Sequence, residues 1–92
     1  MSDMPIDLPA IGRRIRETRV KAGITSLEHF ADLIRDSGCD RPSGAKISRV
    51  ETGVQPVPLD ILGAVSTLTE IPENELRPDL AQLARRFTEA AE

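Results

Sequence analysis

Glycine and proline placement is what most constrains this chain. Six glycines and seven prolines punctuate 92 residues, and no alternating apolar–polar run survives between them. The segments between them carry helical rather than strand periodicity, so the expected fold is all-α, a compact bundle of about five to six short helices. Pro9 suits a first helical turn, where its missing N–H is not needed. From there Ile11, Ile15, Thr18 and Ala22 follow helical spacing, and Gly23 is the expected stop. Thr25-Ser26-Leu27-Glu28 fits a capping box with Thr25 as N-cap, and Leu27, Phe30, Ala31 and Ile34 form the apolar stripe behind it. Ser37-Gly38 ends that helix, and Cys39–Pro42 is a connector. Ser43 then caps a third helix over 44–52, with Ile47 and Val50 inward and Gly53 as terminator. A fourth helix is expected over 58–68, burying Leu59, Ile61, Leu62 and Val65. Pro72–Leu76 reads as a short turn, and Pro78 opens a last helix with Leu80, Leu83, Ala84, Phe87 and Ala91 on one face.

Composition removes several classes of function. One cysteine, Cys39, excludes an internal disulfide framework, and one histidine, His29, excludes a two-histidine metal site. With Phe30 and Phe87 as the only aromatics, a stacking platform for single-stranded nucleic acid is not available. No Gly-rich phosphate loop, paired-carboxylate pocket or Ser/His/Asp set is present, so neither an enzyme nor a cofactor site is expected. The apolar runs fall short of a membrane span, and Met1–Pro9 lacks the basic and apolar regions of a signal peptide.

The net charge of −3 at first points away from nucleic acid. Its distribution points the other way. Residues 11–53 hold nine bases against six acids, a net of +3, whereas residues 54–92 hold three bases against seven acids. A basic front half joined to an acidic back half suggests one polyanion-facing side and one solvating or partner-facing side.

Two short helices joined by a connector, with one helix before and others after, form a helix-turn-helix layout. Within it, Lys46-Ile47-Ser48-Arg49-Val50-Glu51-Thr52-Gly53 strongly resembles the third helix and following turn of the Cro/C1-type (XRE family) helix-turn-helix regulators. Arg19-Val20-Lys21-Ala22-Gly23-Ile24-Thr25 resembles the end of their first helix, and Glu75-Leu76-Arg77-Pro78-Asp79-Leu80 is similar to the YdaS-like subgroup. The resemblance implies a lambda-repressor-like DNA-binding domain over residues 9–77. Residues 1–8 would be a flexible N-terminal arm and residues 78–92 a C-terminal helix. It also implies a cytoplasmic protein of bacterial or phage origin, acting as a transcriptional regulator.

A helix of this kind enters the major groove, with its N-terminal residues at base edges. The positions expected to meet DNA are Gly44, Ala45, Lys46, Ser48 and Arg49, with Arg49 as a bidentate donor to guanine and Ala45 against a thymine methyl. Gly44 would permit close approach. Ser43 would cap the helix while neighbouring N–H groups meet a phosphate. Thr25 and Ser26 would make phosphate contacts from the second helix, although the family often has glutamine where this chain has Ser26. Arg41, Arg13, Arg14 and Arg16 are candidate electrostatic contacts, as are the backbone N–H groups near Val54 and Gln55. Arg19 and Glu51 stand where the family pairs an arginine late in helix one with a glutamate late in helix three, which implies a structural ion pair.

Two departures stand out. The connector between the second and third helices is several residues longer than the usual turn of about four. That leaves the interhelical angle, and the face of helix three that meets DNA, open. The chain also has Val54-Gln55-Pro56-Val57-Pro58 where the family often carries bases.

A domain this small makes few base contacts, so a homodimer on a palindromic double-stranded operator is expected, with Leu80, Leu83 and Phe87 as dimerisation residues. A second reading is an antitoxin-type module whose acidic back half masks a basic toxin while the protein autoregulates its operon.

Overall fold

A computed structural model describes residues 6–80, and all regular structure within them is helical. The order is α1 (Leu8–Lys21), α2 (Leu27–Asp36), α3 (Gly44–Glu51), a 3-10 turn (Leu59–Ile61), α4 (Leu62–Thr69) and α5 (Glu73–Leu76). Pro78–Leu80 begin a further helical turn at the edge of the described residues. Leu83, Ala84, Phe87 and Ala91 lie outside them, as do Met1–Pro5. None of the described helices is long and apolar enough to cross a membrane.

Local capping chemistry fixes most boundaries. Asp7 caps α1, its carboxylate accepting from the Ala10 N–H at 3.0 Å, and proline occupies the first turn. At the other end, Gly23 N–H donates to Val20 O and Ile24 N–H to Arg19 O, both at 3.0 Å, the paired bonds of a Schellman stop. The same motif closes α3, where Gly53 N–H reaches Val50 O at 3.2 Å and Val54 N–H reaches Arg49 O at 2.8 Å. Gly53 has φ +83°, and a Cβ there would stand 2.5 Å from the Pro9 nitrogen. The turn and the start of α1 therefore both require glycine.

Three local expectations are corrected. The cap of α2 is Ser26, whose Oγ accepts from His29 N–H at 3.0 Å, so Thr25 lies outside the helix and Glu28 is not the third residue of a capping box. α3 ends at Glu51, with Thr52 as its C-cap. Leu59 is 62% exposed rather than buried. The segment after Pro58 opens with a 3-10 turn instead of an α-turn, and its tighter winding rotates Leu59 off the face shared by Ile61, Leu62 and Val65.

The core joins Ile15 of α1, Phe30, Ala31 and Ile34 of α2, Ile47 and Val50 of α3, and Ile61, Leu62, Ala64 and Val65 around α4; Ile24, Val57, Ile71 and Leu76 complete it. The buried face of α1 is Gly12, Ile15 and Arg19, while Ala22 at the C-cap is exposed. Gly12 is buried because α3 lies directly on it: a Cβ at Gly12 would collide with the Val50 and Glu51 carbonyl oxygens. Arg77 ties the C-terminal side down, donating from Nη1 to Val57 O at 2.7 Å and from Nε and Nη2 to Asp79 at 3.0 and 2.7 Å. Among the described residues every buried side-chain nitrogen and oxygen has a partner.

Candidate nucleic-acid interface

α3 is short because Ser43 starts it and Gly53 stops it, and it is amphipathic because Ile47, Val50 and Glu51 turn inward. Ser43 Oγ accepts from Lys46 N–H at 3.1 Å, which satisfies one of the first-turn donors that a helix cannot pair internally. The opposite face is open. Ala45, Ser48, Arg49 and Thr52 are exposed together, and Gly44 and Lys46 flank them half-buried. The expected set was Gly44, Ala45, Lys46, Ser48 and Arg49. The structure brings Ala45, Ser48 and Arg49 to one solvent face, adds Thr52, and moves Gly44 and Lys46 to its margins.

Gly44 has an intramolecular neighbour. A Cβ at this position would lie 2.5 Å from Glu28 Oε1 and 3.8 Å from Leu27 Cβ, so its missing side chain accommodates α2. Arg49 also has a partner that periodicity gives no hint of. Its Nε donates to Gln55 Oε1 at 3.0 Å across the turn at Gly53. The bond engages the inner nitrogen of the guanidinium of an exposed residue and leaves Nη1 and Nη2 out of it.

α3 is held from behind by Arg19 and Glu51. Arg19 Nε and Nη2 donate to the two Glu51 carboxylate oxygens at 2.8 and 3.0 Å, and Nη1 donates to Ile24 O at 2.7 Å. Both side chains are about 95% buried, at 5% and 6% exposure. The fork geometry joins the C-terminal end of α1 to that of α3 and leaves Arg19 no role at the surface. Beside the pair, Arg16, Leu27, Ser48 and Thr52 edge an open cleft of about 310 Å³ with Arg19 and Glu51 at its base.

The remaining bases are distributed unevenly. Arg14 pairs with Glu75 of α5. Arg35 lies 3.3 Å from Asp36 and 3.8 Å from Asp32. Arg41, expected near DNA phosphates, donates from Nε to Asp32 Oδ1 and from Nη2 to Glu28 Oε2, both at 2.7 Å. Arg41 thereby holds the Asp32 carboxyl below its ordinary range, with the charge of Arg35 adding to the effect. Glu28 and Asp32 in turn raise Arg41 above the usual guanidinium range. Arg13 and Arg16 are exposed on α1. Thr25 and Ser26 are both exposed at the start of α2, with only Ser26 engaged in capping. Leu80 is half-buried against the core of its own chain. Among the described residues no cluster of His, Cys, Asp and Glu has the makings of a metal site. Cys39 is a free thiol, half-buried against the core.

Comparison of the chain with family models, curated proteins and solved structures finds no match.

Proposed function

We propose that the protein is a sequence-specific double-stranded DNA-binding regulator of transcription that places α3 in the major groove. One observation carries this reading: a short, capped helix presents Ala45, Ser48, Arg49 and Thr52 on one open face while its other face is locked to α1 and α2. An α-helix fits the major groove, and recognition requires that the helix be rigid relative to the scaffold that grips the backbone. The buried Arg19–Glu51 fork supplies that rigidity.

In this mechanism the Nη edge of Arg49 donates to guanine O6 and N7, while Gln55 limits the swing of the guanidinium. Ala45 meets a thymine methyl. Ser48 and Thr52, at the mouth of the cleft, lie toward the sugar–phosphate edge with Arg16 as the nearby cation. The first-turn amides of α2 and α3, capped by Ser26 and Ser43, face phosphates. A two-fold dimer doubles these few contacts on a palindrome with half-sites about one helical turn apart.

Selection of bound sequences from a pool of random duplexes tests the reading. The expected result is an enriched palindrome whose inner guanine preference disappears in Arg49→Ala. Absence of any enrichment at low salt overturns it.

A further inference from the structure

The connector from Ser37 to Ser43 is long enough to let α3 take many orientations relative to α2, yet it is tied on both sides. Its apolar side is held by Pro42, which is buried, and Cys39, which packs on the core. Its polar side is held by Arg41. The two acids it grips, Glu28 and Asp32, stand one turn apart on the same face of α2. Arg41 Nη2 also lies 3.5 Å from the Glu28 carbonyl oxygen. The Glu28 carboxylate does further duty at the start of α3, filling the space over Gly44. One carboxylate of α2 thus touches both the connector and the first residue of α3.

Resting on the DNA-binding reading above, we infer that Arg41 with Glu28 and Asp32 is a clamp that sets the pose of α3 on α2, making Arg41 a positioning residue for DNA recognition. Glu28, exposed, and Asp32, half-buried, are acids on the basic half of the chain, and as mere surface charges they would repel a polyanion. As clamp members they are required for recognition.

The test is the full-length Glu28→Gln/Asp32→Asn variant, compared with the wild type on two duplexes of equal length: the sequence selected by the wild type and a scrambled control. The clamp predicts at least tenfold weaker binding to the selected duplex with binding to the control unchanged or tighter. Equal tightening on both duplexes overturns it, because the acids then act only by charge. Arg41→Met is expected to lose the same selectivity, and the charge swap Arg41→Asp/Asp32→Arg to recover part of it. A second measurement needs no DNA. Amide exchange at Lys46 and Ile47, both bonded to Ser43, is expected to quicken about tenfold in the double variant while α4 is unchanged. Equal exchange in both proteins overturns the clamp, whereas a wild type that binds no duplex overturns the DNA reading instead.

Discussion

Glu51→Ala is the perturbation whose consequence the structure fixes most closely. It removes two charge-assisted bonds, at 2.8 and 3.0 Å, and strands the Arg19 guanidinium at about 5% exposure with only Ile24 O to accept from it. Bonds of this kind contribute roughly 1.5–3 kcal/mol each, and breaking one side of a buried pair costs about 3–5 kcal/mol. Taking about 4 kcal/mol against a domain stability of roughly 5–15 kcal/mol, between about a quarter and four-fifths of the margin is lost. The melting temperature is then expected to fall by roughly 15–30 °C, given about 4–8 °C per kcal/mol for a domain of this size. The double variant Arg19→Met/Glu51→Leu should behave differently. It leaves no buried charge, a gain of about 1–4 kcal/mol over an ion pair in favourable cases. It also orphans the Ile24 carbonyl at a cost of about 1–3 kcal/mol. The double variant is therefore expected between about 2 kcal/mol below and about 3 kcal/mol above wild type, well above either single variant. Urea and thermal unfolding followed by far-ultraviolet circular dichroism measure the cycle, since the chain has no Trp or Tyr to report by fluorescence. A Glu51→Ala cost under about 1 kcal/mol means the pair is solvated rather than buried. A double-variant loss equal to the sum of the singles means that the two residues do not interact. Either result refutes the reasoning.

Other expectations follow from single contacts. Helix propensity alone predicts that Gly12→Ala stabilises α1 by about 1 kcal/mol, whereas the clash with the Val50 and Glu51 carbonyls predicts a loss of about 1–3 kcal/mol or more in urea titration. Arg49→Ala is expected to lose about 1–3 kcal/mol of discrimination at one guanine position, read by competition between duplexes, without a change in melting temperature. The carboxyls of Asp32 and Asp79 are held below their ordinary value of 3.8 by Arg41 and Arg77. A depressed folded value means that their contribution is full above pH 4 or so and is lost as pH falls through the depressed range, because the unfolded chain takes up protons first. Melting temperature should accordingly drop below about pH 4, and less steeply in Asp32→Asn/Asp79→Asn; identical slopes would count against both pairings.

The parts of this molecule that a linear reading reaches are those decided within a few residues. Asp7 aside, the stops at Gly23, Gly38 and Gly53, the Ser43 cap and the Phe30–Ile34 stripe all rest on neighbours in sequence. Even there, choosing between Thr25 and Ser26 is beyond such a reading, because both have a hydroxyl. Ser26 as cap places Glu28 and Asp32 where Arg41 meets them, and that partner lies thirteen and nine residues away. Leu59 shows a second limit: apolar spacing assumes one helical period, and a 3-10 turn breaks it. Gly12 shows a third. Nothing in its sequence neighbourhood marks it as the point where α3's backbone touches α1. The Arg49–Gln55 bond is of the same kind, since it crosses a turn whose shape only Gly53 permits. The face of α3 is thus legible from Ile47 and Val50, while its aim depends on contacts that only the folded chain brings together.

Those contacts also bear on how a chain of net charge −3 could meet a polyanion as proposed. Within residues 11–53, Glu28, Asp32, Asp36 and Glu51 are engaged by Arg41, Arg35 and Arg19, and Arg14 is drawn to Glu75. Four of the six acids of the front half are thus paired, three of them (Glu28, Asp32 and Glu51) in ties between separate segments, and the pairing offsets their charge in the field around this half. The bases outside these pairs are Arg13, Arg16, Lys21, Lys46 and Arg49, all on α1 and α3. These five, neutralising one phosphate each, give residues 11–53 a share of about −4.5 per subunit in the slope of the logarithm of the binding constant against the logarithm of salt, taking roughly −0.9 per phosphate. Titration of the selected duplex between low and physiological salt measures it. In an Arg85→Ala/Arg86→Ala background, a slope steeper than this share would mean that Arg14, Arg35 or Arg41 leaves its carboxylate to reach DNA, and the division between structural and recognition charges would then fail.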